Sequence, residues 1–445
     1  MFYADDLALM ACSIGGLHAM LEALEEYADQ KGLTVNAGKS EIVVFNSRSP
    51  IRYPESGGLV RFRYGDVELA IKSEFKYLGF TLHSTLNMAH THAPRARGLM
   101  ASMSDVVKLG RELGMAKSPW AMVKLFQTYV VPSGMYGCQV WGTRFAGIDQ
   151  AFTSEVSQRH LRYLKRLLGL PYSTSNWAVL AEVNCRPFHF YWVRALCKFH
   201  ARMFSSNSPL LVDVAQADAA LAVEGSGNCW SAEFGRALES IACKAGEGEL
   251  GNALRDSVFA GTSVNTGTVV RVLEQAYEED AWGGFAQAGD LREHLRANQG
   301  QQLRRSKCLT YFSWFKLPEP GWPTYLRGLQ RNRVHKMMKH LARFRLGAHA
   351  LRVEMGRRQN LIWESRTCQR CSSAHLQSLA CKVDDEHHCI FDCTAFEHHR
   401  AAIPGVQQLI ADAAGCVRAF MAGDVTVVRE YIAACMCTLD LEAIA

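Results

Sequence analysis

No apolar run in these 445 residues approaches the roughly 20 needed to cross a bilayer, which argues against membrane insertion. No low-complexity tract longer than a loop is present. With 48% hydrophobic and 21% charged residues the composition is that of a folded chain rather than a disordered one. No secretory signal opens the sequence, so its fifteen cysteines are expected as reduced thiols and not as a disulfide framework. A nuclear or cytoplasmic setting is therefore expected, and secretion is not.

At about 150 residues per domain the length allows roughly three domains with real cores. The net charge of +6 is mild, but acids and bases are unevenly spread. Residues 205–300 hold 14 Asp and Glu against 6 Lys and Arg, whereas 303–358 hold 14 Lys and Arg against 2 Glu. The first segment repels polyanions and the second attracts them.

The patterning predicts an α+β chain. Leu17, Met20, Leu21, Leu24 and Ala28 recur at helical spacing before Gly32, a residue suited to a left-handed cap. Glu41 to Phe45 has strand character. Val60, Phe62 and Tyr64 alternate before Gly65-Asp66, and Val67, Leu69 and Ile71 alternate after it, which predicts a hairpin. From about Ala89 to Phe204 the pattern is helical. A helix over Trp120 to Val131 is expected to stop at Pro132, and a Val156, Leu161, Leu164, Leu168 stripe to end near Gly169 and Pro171. The acidic stretch, rich in glycine and poor in aromatics, is expected to be a loosely packed connector.

Near the start stand Phe2-Tyr3-Ala4-Asp5-Asp6. Two-metal nucleotidyl transfer needs carboxylates that hold two cations about 3.5 to 4 Å apart, and adjacent aspartates can share such a site only where the backbone turns. Gly32-Leu33-Thr34-Val35-Asn36-Ala37-Gly38-Lys39 follows, then Phe75-Lys76-Tyr77-Leu78-Gly79-Phe80. In that order the three motifs resemble the reverse transcriptases of non-LTR (LINE-type) retrotransposons, with their Asp-Asp turn, Gly-Leu-x-x-Asn-x-x-Lys strand and Phe-x-Tyr-Leu-Gly hairpin.

The resemblance implies that Asp5 and Asp6 bind magnesium. It places Lys39 near the phosphates of the incoming deoxynucleotide, as a cation or general acid. Tyr77, Leu78 and Gly79 would hold the primer terminus, Gly79 allowing close backbone approach. Tyr129-Val130-Val131-Pro132 and Tyr136 to Gly142 look like the thumb and the region after it. Arg159, Arg162, Lys165 and Arg166, expected opposite the leucine stripe, would track a nucleic-acid backbone.

Cys368-x2-Cys371, sixteen residues, then His388-x4-Cys393 offers three thiolates and an imidazole, the donor set of a closed structural zinc site. Cys381, His387 and Cys389 could each replace one of these ligands. The long gap resembles the C-terminal zinc-binding segment of LINE-type proteins, as do Asp385-Glu386 before the histidines and Phe396 with Arg400 after Cys393. Upstream, Arg327, Arg331, Arg333, Lys336, Lys339, Arg343 and Arg345 interleave with Tyr325 and Phe344, near Trp314 and Trp322. Such charges release phosphate counterions and such rings stack on bases.

The expected organisation is a palm remnant with a primer-grip-like hairpin over 1–88, a helical thumb-like domain over 89–204 and an acidic connector over 205–300. A basic helical region over 301–365, a zinc-binding segment over 366–400 and C-terminal helices over 401–445 complete it. In the family the fingers and a further metal-binding aspartate precede the Asp-Asp turn. Only Met1 to Ala4 precede it here, so the chain by itself is expected to lack a complete catalytic site. Two functions fit: a fragment of an RNA-directed DNA polymerase acting on an RNA template and DNA primer, or a non-catalytic nucleic-acid-binding protein with a structural zinc.

Overall fold

The computed structural model describes residues 2–3, 5–45, 58–86, 89–282, 311, 322–328, 331–372 and 382–442. The chain is mixed α+β and mainly helical, in two compact units, Met1–Arg95 and Ala96–Ala445. No described helix is long and apolar enough to cross a membrane.

The first unit begins with a minimal hairpin. Strands β1 (Phe2–Tyr3) and β2 (Asp6–Leu7) pair antiparallel, Tyr3 opposite Asp6 and Phe2 opposite Leu7. Helix α1 (Ile14–Lys31) starts where the Ser13 hydroxyl accepts from the Gly16 N–H, and it ends on Gly32 at φ +62°. A short 3-10 turn over Ala37–Lys39 leads into β3 (Glu41–Val43). The expected strand thus begins only after Lys39, because the Asn36 side chain captures the Lys39 N–H at 3.2 Å and diverts it from a ladder. Strands β4 (Phe62–Tyr64) and β5 (Val67–Lys72) form the predicted hairpin around Gly65-Asp66, and β3 joins β5 in parallel. Leu21, Ile42, Val60, Phe62 and Leu69 make its core. Val67 and Ile71 stay exposed, so only one position of the second alternation reaches the core.

Strands β6 (Glu74–Tyr77) and β7 (Phe80–His83) form a second hairpin. Its turn residues Leu78 and Gly79 have φ +46° and +79°, the geometry of a two-residue turn that matches strand twist. Glycine adopts that geometry without cost; Leu78 does so at about 1 to 2 kcal/mol.

The unit boundary falls within α2 (Ala89–Glu112). Next come α3 (Pro119–Leu125), a π turn over Phe126–Val130 and α4 (Val131–Met135), one continuous helical run. Pro132 therefore does not end the helix. The π turn lets the Val131 N–H bond Phe126 O, absorbing the misfit that a proline ring and its missing donor impose. After α5 (Cys138–Trp141), α6 (Glu155–Leu168) buries Val156, Leu161, Leu164 and Leu168 and ends on Gly169 in the left-handed region, as the stripe predicts.

Helices α7 (Asn176–Glu182) and α8 (Phe188–Phe204) lead into the acidic stretch. The expected connector is instead, through Trp282, four packed helices: α9 (Pro209–Val223), α10 (Trp230–Lys244), α11 (Gly248–Phe259) and α12 (Thr266–Trp282). Phe234, Leu238, Ile241, Val258, Val269 and Leu273 pack with Val193 and Leu196 of α8 in one core. Alanine and glycine make this possible: Gly251 faces Ala242 and the Glu239 backbone so closely that two helices meet almost backbone to backbone. Few aromatics here mean close helices, not loose packing.

The chain continues through α13 (Asn332–Arg345), α14 (Arg352–Arg358) and the short α15 (Gln369–Ser372). It closes with α16 (Glu397–Ala402), α17 (Val406–Ala413), α18 (Val417–Ala422) and α19 (Val425–Glu442). A buried polar cluster ties α7 to α13. Glu182 accepts from Arg345 Nε at 2.7 Å and Nη2 at 3.2 Å, from the Tyr311 hydroxyl at 2.6 Å and from the Tyr325 hydroxyl. Burial is the largest influence and alone would raise the Glu182 pKa, but the Arg345 guanidinium and the two tyrosine hydroxyls together outweigh it and hold the carboxyl below its usual range.

Candidate metal centre and nucleic-acid interface

The structure brings Cys368, Cys371, His388 and Cys393 together, with one ligand atom from each lying within 4.8 Å of all the others. Cys371 Sγ is 3.5 Å from Cys393 Sγ and 3.3 Å from His388 Nε2, and Cys368 Sγ is 3.9 Å from Cys393 Sγ. Thiolates held about 2.3 Å from a tetrahedral ion stand about 3.7 Å apart, so these separations fit a four-coordinate metal such as zinc. Cys389 is not part of the cluster: its thiol faces Cys435 in the core, where burial raises its pKa. His387 turns to Asp392, 3.4 Å away, and Cys381 lies outside the described residues.

Local structure explains the spacing. His388–Asp392 is a π turn, in which the Cys393 N–H bonds His388 O at 2.8 Å. Residues five apart then stand one above the other, which is what His388-x4-Cys393 requires. The Asp385 carboxylate starts the turn by accepting from the His388 N–H at 2.8 Å. Arg400 Nη2 donates to Cys393 O at 2.6 Å.

On the other side, the Cys368 N–H bonds Lys382 O, and an isolated bridge pairs Thr367 with Val383. Arg366, fully buried, donates to Val353 O and Leu361 O and carries this strand-like segment on α14. Arg370, between the first two cysteines, pairs with buried Asp384 and lies over the Phe396 ring at 5.6 Å. Glu386 is wholly buried against His349 at 2.9 Å. Asp385 and Arg400 therefore brace the turn that carries His388 and Cys393, and Phe396 lies under Arg370 between the first two cysteines, whereas Glu386 is engaged by His349.

The thiols crowd one another. Hydrogen bonding to Cys393 and then burial push Cys368 up to about 12. A bound cation would displace that proton and relieve the crowding.

The basic residues fall into two sets. On α6, Arg162 and Arg166 are exposed and Arg159 pairs with Glu155 at 2.7 Å. Lys165 departs from expectation: it is buried on the core side, its Nζ donating to Tyr172 O at 2.8 Å and Asn176 Oδ1 at 2.7 Å. At 100° per residue, position 165 lies beside Leu161 and not opposite it. On α13, Arg331, Arg333 and Lys336 are exposed, and Lys339 lays its stem against Gly169, where an added Cβ would come within 2.9 Å of it.

Other members of the basic run are spoken for. Arg343 is held by Asp440 through two bonds of 2.6 and 2.7 Å, and Arg345 is buried on Glu182. Trp322, Tyr325 and Phe344 are buried and offer no stacking face, which corrects that expectation; Trp314 lies outside the described residues. The contact of Lys339 with Gly169 brings the C-terminal end of α6 against the middle of α13, although some 170 residues separate them.

In the first unit, Asp5 occupies the β1–β2 turn and Asp6 the first paired position, both exposed. Lys39 is exposed at the end of its 3-10 turn, and Tyr77, Leu78 and Gly79 form the β6–β7 tip. Sequence reasoning missed the Glu182–Arg345 cluster, the Arg366 anchor and the Arg370–Asp384 pair. An arginine two residues before or after a ligand cysteine is the faint signal that could have pointed to the last two.

The fold and the cluster together define a mainly helical α+β chain with a Cys3His site able to hold a metal. No protein-family model and no solved structure matches it. A putative uncharacterized transposon-derived protein of Caenorhabditis elegans is 23% identical over 168 residues, which are 38% of this chain and 56% of that protein. The chain thus spans about half the length of that relative, and the likeness suggests a transposon origin.

Proposed function

We propose that this chain is part of the reverse transcriptase of a LINE-type retrotransposon. In this reading Asp5 and Asp6 are magnesium ligands for RNA-directed DNA synthesis, and the second unit holds the nucleic acid. The observation that carries the reading is the β1–β2 turn. Pairing Tyr3 with Asp6 leaves Asp5 at the turn itself, the one place where adjacent carboxylates need not point to opposite faces. The tight β6–β7 tip at Leu78-Gly79 and the transposon-derived relative support it. Lys39 would serve the nucleotide phosphates and Tyr77, Leu78 and Gly79 the primer end.

Zinc is the ion best suited to Cys368, Cys371, His388 and Cys393, where it would serve as a structural tie with no water-activating position. The exposed cations of α6 (Arg162, Arg166) and of α13 with its N-cap (Arg331, Arg333, Lys336) favour a second reading in which the chain binds nucleic acid without catalysis. Primer extension on an RNA template with magnesium and deoxynucleotides separates the two. Synthesis lost in Asp5→Ala supports the polymerase. Salt-dependent binding without synthesis, unchanged by Asp5→Ala, supports the binding protein. Binding indifferent to salt would refute both electrostatic readings.

A further inference from the structure

A cavity of about 530 Å³ opens between α6 and α7, a size suited to a small organic ligand. Gln158, Arg162 and Lys165 line it from α6, and their i, i+4, i+7 spacing places all three on one helix face. Asn176 and Tyr172 line it from the α6–α7 connection and the start of α7, and Phe152 supplies a second ring. None of the lining residues is acidic. Glu155 at the start of α6 is engaged by Arg159, and Asp280 by Lys244 and the Trp177 indole.

The chemistry of the wall is specific. Lys165 is fixed in it by two neutral oxygens, Tyr172 O and Asn176 Oδ1, so it contributes a positive field that no carboxylate in these bonds cancels. Arg162 makes no ion pair among the described residues, and its guanidinium suits bidentate recognition of phosphate. Tyr172, a lining residue, is 67% exposed, which leaves an aromatic side chain accessible to a base. An available cation and an exposed aromatic lining one cavity are the two components of a single-strand nucleotide seat.

We infer that the cavity between α6 and α7 seats one nucleotide of a single strand, with its phosphate on Arg162 in the field of the fixed Lys165 ammonium and its base on Tyr172. The inference rests on the nucleic-acid-binding reading of this unit and names the place where a strand enters it.

The test uses the full chain, a short labelled single-stranded oligonucleotide, and anisotropy titrations over a series of salt concentrations. Arg162 and Tyr172 are exposed, so Arg162→Gln and Tyr172→Ala should leave the circular dichroism spectrum unchanged. Arg162→Gln is expected to lower the slope of log affinity against log salt by about 0.7. Tyr172→Ala is expected to weaken binding roughly tenfold at every salt concentration without changing the slope.

If both variants bind like wild type while Arg333→Gln binds more weakly, the strand lies on α13 and the cavity inference is overturned, though the nucleic-acid reading stands. Failure of the wild-type chain to bind any strand would overturn that reading and this inference together. Competition by inorganic phosphate at Arg162, with Tyr172→Ala unaltered, would make the cavity a free-anion site and overturn the nucleotide assignment.

Discussion

Glu182 is the side chain whose loss the second unit should tolerate least. Its carboxylate is 1% exposed and accepts from both Arg345 and two tyrosine hydroxyls, all themselves buried. Glu182→Leu strands the guanidinium in the interior at about 3 to 5 kcal/mol. It also leaves two hydroxyls without an acceptor, at about 1 to 3 kcal/mol each if nothing relaxes. Since neighbouring losses do not add fully, a total on the order of 5 to 8 kcal/mol is expected, comparable to the whole stability of a typical domain. Glu182→Gln, which keeps one acceptor oxygen and the volume, should cost about 3 kcal/mol.

Urea unfolding followed by tryptophan fluorescence measures this, because Trp141 and Trp192 are wholly buried in the same unit. The double variant Glu182→Leu with Arg345→Met should recover at least half of the loss, since the uncompensated charge goes with the arginine. A Glu182→Gln midpoint equivalent to less than 1 kcal/mol, with a double variant no better than the single, would refute the reasoning.

The metal cluster predicts close to one zinc per chain in protein purified under reducing conditions, and a lower unfolding temperature after chelation or in Cys371→Ser; a stoichiometry near zero would sink the zinc assignment. Acid should destabilise the second unit through His189, which burial holds down to about 4 while it bonds the Tyr277 hydroxyl and Ala146 O. Its folded pKa lies below the unfolded value, so its contribution is complete above about pH 6.5 and is lost as pH falls toward 4, about 3 kcal/mol in all. His189→Gln should flatten that part of the stability profile, and an unchanged profile would place the loss elsewhere. Gly134→Ala would put a methyl 2.5 Å from the Phe188 ring, so it should cost about 1 to 3 kcal/mol in a denaturant titration.

Much of the local structure was legible because it follows from near neighbours. Ser13 and Gly32 bound α1, Gly65-Asp66 turns a hairpin, and Gly169 ends the leucine-striped helix. What went unread depended on distant partners. The helix continues through Pro132 because a π turn precedes it, and no short-range pattern signals that compensation. The acidic stretch passes for a connector because much of its core is alanine and valine set between scattered Phe, Leu and Ile, and modest hydrophobicity conceals how closely small residues let helices approach. Lys165 passes for a surface cation because the sequence does not show that Tyr172 O and Asn176 Oδ1 wait for it.

The amino-acid sequence by itself determined where a soft-donor site lies, since Cys-x2-Cys and His-x4-Cys each close within a single turn and cysteines crowd nowhere else so densely, but the packed chain decided that His388 and not His387 or Cys389 joins it. The sequence also determined the Asp5–Asp6 turn, which needs only the residues beside it. Only the tertiary structure decided which cations remain available. Arg343 and Arg345 are taken by Asp440 and Glu182, from segments 97 and 163 positions away, while the Lys339 stem packs on Gly169. A charge declares its sign in the sequence, but its solvent exposure and its partner are properties of the packed chain.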